Sequence, residues 1–95
     1  MFLHVTQAKY LHDYVVEVQF NDGRTGCADL KDALEGPIFE PLKDVQMFSK
    51  LHVDPGLETI VWPNGADMAP EFIFFQAFKA DQSLQKQFKS WGYLG

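Results

Sequence analysis

One stretch restricts the possible folds more than any other. In residues 14–20, Tyr14, Val16, Val18 and Phe20 alternate with Glu17 and Gln19. A two-residue period places the first set on one face of a strand and the second on the other, so the segment reads as a strand with one buried side. Asn21-Asp22-Gly23 follows at once. Asp-Gly tolerates positive φ at both central positions of a turn, which predicts a type I′ hairpin into a partner strand over residues 24–30. Residues 3–11 read as a further strand turning at His12-Asp13, and a three-strand meander results.

Beyond residue 30 the pattern changes. Residues 32–36 predict one helical turn stopped by Gly36, because Pro37 cannot continue it. Residues 37–43 read as a second short turn. Residues 48–53 and 57–62 predict another hairpin, about Asp54-Pro55-Gly56. Pro63-Asn64-Gly65 makes a loop, and a helix is expected to start between Asp67 and Pro70. Pro suits a first helical turn, and Glu71 complements the positive end of the helix dipole. Ala77, Ala80, Leu84, Phe88 and Trp91 recur at helical steps toward a stop at Gly92, while Asp81-Gln82-Ser83 offers a competing break and new cap. The expected class is α+β: an antiparallel sheet of about five strands covered by a C-terminal helix or helix pair. Residues 1–95 read as a single domain, with a core over 1–78 and a C-terminal helical extension over 79–95.

Composition narrows the functional classes. Of 95 residues, 46% are apolar, and the nine Phe supply much of that volume. Cys27 is the one cysteine, so no internal disulfide or thiolate metal cage can form. Placed in a strand, it predicts a small core filler. Residues 1–78 hold five basic and twelve acidic side chains, a net −7, whereas residues 79–95 hold Lys79, Lys86 and Lys89 against Asp81, a net +2. The acidic body predicts a poor nucleic-acid binder, and the basic end suits an acidic partner. Protein partners or self-association are expected instead. The opening residues lack a charged start and a long apolar run, so neither a signal peptide nor a membrane segment is expected, and the reading is cytoplasmic.

No residue set specifies a reaction. His4, His12, Asp13, His52 and Asp54 lack the spacing of a metal motif, so no metal or other cofactor is expected. The glycines form no phosphate-cradling run, and Ser49 and Ser83 sit in no nucleophile elbow. Asp67 and Glu71, four apart, could act as acid and base beside a wall formed by Trp62 and an orienting Asn64. The plainer reading makes Asp67 the helix cap and Glu71 its dipole partner. Phe72, Ile73, Phe74, Phe75 and Phe78 make the helix apolar nearly all round, which demands burial on more than one side. Part of that demand could be met at an interface, for which Phe75, Phe88, Trp91 and Tyr93 are the candidates.

These residues carry a resemblance. Tyr14, Val16, Val18, Phe20, Asp22-Gly23, Gly26, Asp29-Leu30, Phe48 and Ile60 lead into Trp62-Pro63-Asn64-Gly65-Ala66-Asp67, then Ala69-Pro70-Glu71. The pattern, over residues 2–75, resembles the bacterial domain-of-unknown-function family 2442. The resemblance implies an α+β fold with an antiparallel sheet. It also implies membership of a group found as small stand-alone proteins or ahead of a helix-turn-helix segment, with a link to toxin–antitoxin-like gene pairs. It brings no catalytic residues. Sixteen residues after Lys79 are too few for a three-helix DNA-binding domain. The expected function is a non-catalytic protein-interaction or regulatory module. The alternative is a small-ligand or enzymatic site around Trp62, Asn64, Asp67 and Glu71.

Overall fold

A computed structural model describes residues 2–93. The meander forms as its alternation requires: β1 (Val5–His12), β2 (Val15–Phe20) and β3 (Thr25–Asp29) are antiparallel neighbours in that order. Val18 faces Ala8 and Gly26, and Val16 faces Tyr10 and Ala28, so one face is apolar. Val16, Val18, Phe20 and Ala28 are buried on it. The turn differs from expectation. Only Gly23 takes positive φ, at 90°, while its N–H donates to Phe20 O at 3.0 Å and Phe20 N–H donates to Arg24 O at 2.9 Å. That is a three-residue loop with glycine in the left-handed position, not a type I′ turn. Asp22 Oδ1 accepts the Arg24 N–H at 3.0 Å, a side-chain bond that helps close the loop. The register also corrects the reading of Cys27. It pairs across from the exposed Glu17 on the outer face and is itself exposed.

After two short 3₁₀ turns, Lys31–Ala33 and Glu40–Lys43, the chain forms α1 (Val45–Phe48). Strand had been expected from residue 48. Asp44 prevails because its side chain accepts the Gln46 N–H and caps the first turn. The second hairpin is β4 (His52–Asp54) with β5 (Thr59–Val61). Asp54 Oδ1 gathers the N–H groups of Gly56 and Leu57, at 2.7 and 2.9 Å, and organises the turn between them. The five strands therefore divide into a three-stranded and a two-stranded sheet. Val5 N–H donates to Glu58 O at 2.9 Å and links the two.

The C-terminal rod breaks in two. α2 (Pro70–Phe78) ends before Asp81, whose extended backbone and cap to Ser83 N–H start a 3₁₀ turn, Gln82–Leu84, that runs into α3 (Gln85–Ser90). Gln85 Nε2 donates to both Lys79 O and Asp81 O, which satisfies carbonyls released at the break. Gly92, at φ 86°, closes α3. Its N–H reaches Lys89 O, and Tyr93 N–H reaches Phe88 O, both at 3.0 Å, the double bond of a Schellman stop. α2 crosses the meander where Gly26 leaves room. A Cβ there would lie 2.9 Å from two Phe78 ring atoms and 3.3 Å from Ala77 Cβ. Gly26→Ala should therefore lower unfolding stability by about 1–3 kcal/mol, since the helix must retreat. Urea denaturation checks this: a variant as stable as the parent would show that α2 does not press on β3.

Candidate functional site

The distinctive loop after β5 is built from its own hydrogen bonds. Trp62 N–H donates to Ala66 O and Gly65 N–H to Trp62 O, both at 2.9 Å, with Gly65 at φ 89°. Residues 66–68 then run back along β5, where Asp67 bridges to Val61 and Met68 N–H donates to Ile60 O. The helix consequently begins later than Asp67. Ala69 is its N-cap and offers no side-chain bond, so the reading of Asp67 as the cap is corrected: the strand bridge holds that residue first.

The four residues singled out around this loop do different work. Trp62 is 2% exposed, and its Nε1–H donates to Phe48 O at 2.9 Å. Asn64 sits exposed at the tip, where Oδ1 accepts the Ala66 N–H and Nδ2 donates to Ile38 O at 2.8 Å. Asp67 is exposed on the returning strand. Glu71 lies in the first turn of α2, and its charge joins burial in raising the Tyr93 phenol pKa, burial being the larger cause. Trp62 and Asn64 thus fasten the loop to α1 and to the segment around Ile38. Sequence reasoning missed that clamp; the signal for it was the polar tip, Asn-Gly, next to an indole N–H that must find an acceptor when buried.

The aromatic candidates do come together. Phe75 stacks on Tyr93 with centroids 4.9 Å apart and meets Phe88 edge-on at 5.0 Å. Trp91 stands 6.0 Å from both Phe74 and Phe88. Phe88 is fully buried and so presents no surface to a partner, whereas Phe75, Trp91 and Tyr93 keep part of their rims in solvent. Three strips of the structure meet here: α2, α3 and the residue after Gly92.

Elsewhere, an open groove of about 480 Å³ separates the start of β1 from the second hairpin, lined in part by His4, Asn21, Asp54 and Glu58. His4 Nδ1 lies 3.0 Å from Glu58 Oε2. His12 pairs instead with Asp13, at 3.1 Å, at the first turn of the meander. Among the described residues no three His, Cys, Asp or Glu side chains gather as metal ligands do, and no helix is long and apolar enough to cross a membrane.

A sequence profile of a protein family of unknown function, DUF2442, matches residues 5–79. The chain belongs to that family. No curated protein matches the sequence. In fold it is similar to a solved structure from Nitrosomonas europaea described as a "putative DNA binding protein", with a TM-score of 0.75 and 16% identity. The likeness covers 100% of this chain and 64% of that one, so the chain spans about two thirds of its solved neighbour. This neighbour corrects the expectation of a poor nucleic-acid binder drawn from the acidic body. Net charge averages over the whole surface, whereas contact with a phosphate backbone needs only a local excess of cations.

Two outcomes follow from the geometry. Trp62→Phe removes the shorter of the two bonds to the Phe48 carbonyl, leaving only the Leu51 N–H at 3.3 Å, and should cost about 1 kcal/mol or more of stability, read from thermal or urea unfolding. Asp54 accepts bonds from Leu57 and Gly56, in that order of effect, which hold its carboxyl below the ordinary value of 3.8. That stabilisation is complete above the ordinary value and fades as pH falls through the lower folded one. Asp54→Asn should therefore shrink the loss of stability between neutral pH and about pH 3. Parallel pH profiles for parent and variant would refute the assignment.

Proposed function

We propose that the chain is a non-catalytic, cytoplasmic regulatory module that acts by surface complementarity in a DNA-associated system, of the toxin–antitoxin-like kind. The observation that carries the reading is the use made of the distinctive loop. Its indole N–H and both ends of the Asn64 amide are spent on internal bonds, so it serves as a clamp and leaves little polar chemistry to offer a substrate. The solved neighbour, described as a putative DNA binding protein, adds support for the DNA-associated setting. Recognition falls to the C-terminal end, where the rims of Phe75, Trp91 and Tyr93 stand over the buried Phe88. Aromatic rims of this kind concentrate binding energy when a partner desolvates them. Light scattering coupled to size-exclusion chromatography, on protein isolated from its native cells, should find an oligomer or a stoichiometric complex. A strict monomer carrying no other macromolecule would overturn the proposal.

A further inference from the structure

The charge of this chain is segregated along its length, and the fold turns that segregation into a surface. Lys79, Lys86 and Lys89 belong to the short net-positive end, while the remainder carries −7. In the helical rod that runs from the 3₁₀ turn Gln82–Leu84 through α3, Leu84 and Phe88 face inward and are buried. The opposite flank exposes Gln82, Lys86, Lys89 and Ser90. Lys86 and Lys89 stand three apart, so they are neighbours on that flank. Among the described residues none of the three lysines lies within 4.0 Å of a carboxylate. Asp81, the one acid in the segment, turns its Oδ1 to the N–H and hydroxyl of Ser83, at 2.9 and 2.6 Å.

We propose that this flank docks on the phosphate backbone of duplex nucleic acid. The inference rests on the preceding reading of the C-terminal end as the recognition end, and it names the partner. Charge complementarity carries it. Lysine, glutamine and serine are donors suited to phosphate and sugar oxygens. The acidic remainder is repelled by the same polyanion and so orients the molecule with this end forward. The flank itself has no exposed large apolar side chain; those of the described chain are Phe2, Leu11, Ile38, Val45 and Leu57. A protein interface would call for an apolar centre, and a single strand for open stacking rings, whereas a duplex backbone calls for neither. The Asp81 cap, the Gln85 bonds and the Gly92 stop define the two ends of the rod that carries these lysines.

Fluorescence anisotropy of a labelled duplex of roughly 20 base pairs tests the proposal at low and rising salt. Binding should weaken with a log–log salt slope of about −2, as for the two phosphates that Lys86 and Lys89 neutralise. Lys86→Gln with Lys89→Gln should reduce that slope by about two and weaken binding at least about tenfold at low salt. Lys9→Gln with Lys50→Gln, at exposed sites on β1 and beyond α1, should change neither. Melting followed by circular dichroism verifies that each variant folds. Equal competition by polyglutamate at matched charge would overturn the duplex assignment in favour of an acidic polypeptide and leave the interaction-module reading standing. Absence of duplex binding in a protein that still forms an oligomer or complex would overturn this inference alone. Absence of both would overturn the two together.

Discussion

The packing of Phe48 against Trp62 holds the architecture together. The Phe48 carbonyl accepts the buried indole N–H, and the two rings stand 5.7 Å apart. Phe48 also meets Tyr10 and Tyr14 edge-on, at 6.1 and 5.3 Å, so the end of α1 touches the meander and the second hairpin together. The hydroxyl of Tyr14 donates to the Lys43 carbonyl and fixes the approach to α1 from the other side. This junction adds to the contacts of β1 with the second hairpin, among them the Val5–Glu58 backbone bond and the His4–Glu58 pair. A small two-stranded hairpin is marginal alone, and the aromatic junction is what makes it part of the core.

A second constraint is geometric. α2 is apolar around most of its circumference, so it needs partners on two sides. Gly26 admits it against β3 on one side, where Phe74 meets Phe20 edge-on at 5.1 Å. The break at Asp81 folds α3 back onto the other, bringing Phe88 to within 5.0 Å of Phe75. An unbroken rod would have left that second side in water. The same break turns the lysines of α3 outward as its apolar residues turn inward, so hydrophobic packing and the charged flank have one cause.

This arrangement separates internally bonded polar groups from exposed cations along the chain. The loop with the most distinctive sequence, residues 62–66, is occupied with structural bonds. The C-terminal end, assembled from ordinary helical residues, is where exposed chemistry of one sign collects. Distinctiveness of sequence marked a demanding piece of backbone here, because a buried indole N–H and a left-handed glycine tolerate few substitutes.

Local pattern alone determined the meander, since alternation with a period of two leaves only one face for Val16, Val18 and Phe20 to bury. It also determined the stop at Gly92 and the presence of a hairpin between residues 52 and 61. The candidate site was legible only as a set of positions. Competition between nearby bonds, and contacts across the fold, decided the remainder. Asp44 won residues 45–48 for a helix, and Asp81 split the C-terminal rod, through caps whose worth depends on what the following turn packs against. Cys27 faces out because register is a property of two strands, not one. Trp62, Asn64 and Phe88 have their roles from partners 14, 26 and 13 residues away in sequence, and no period in a single chain encodes such distances.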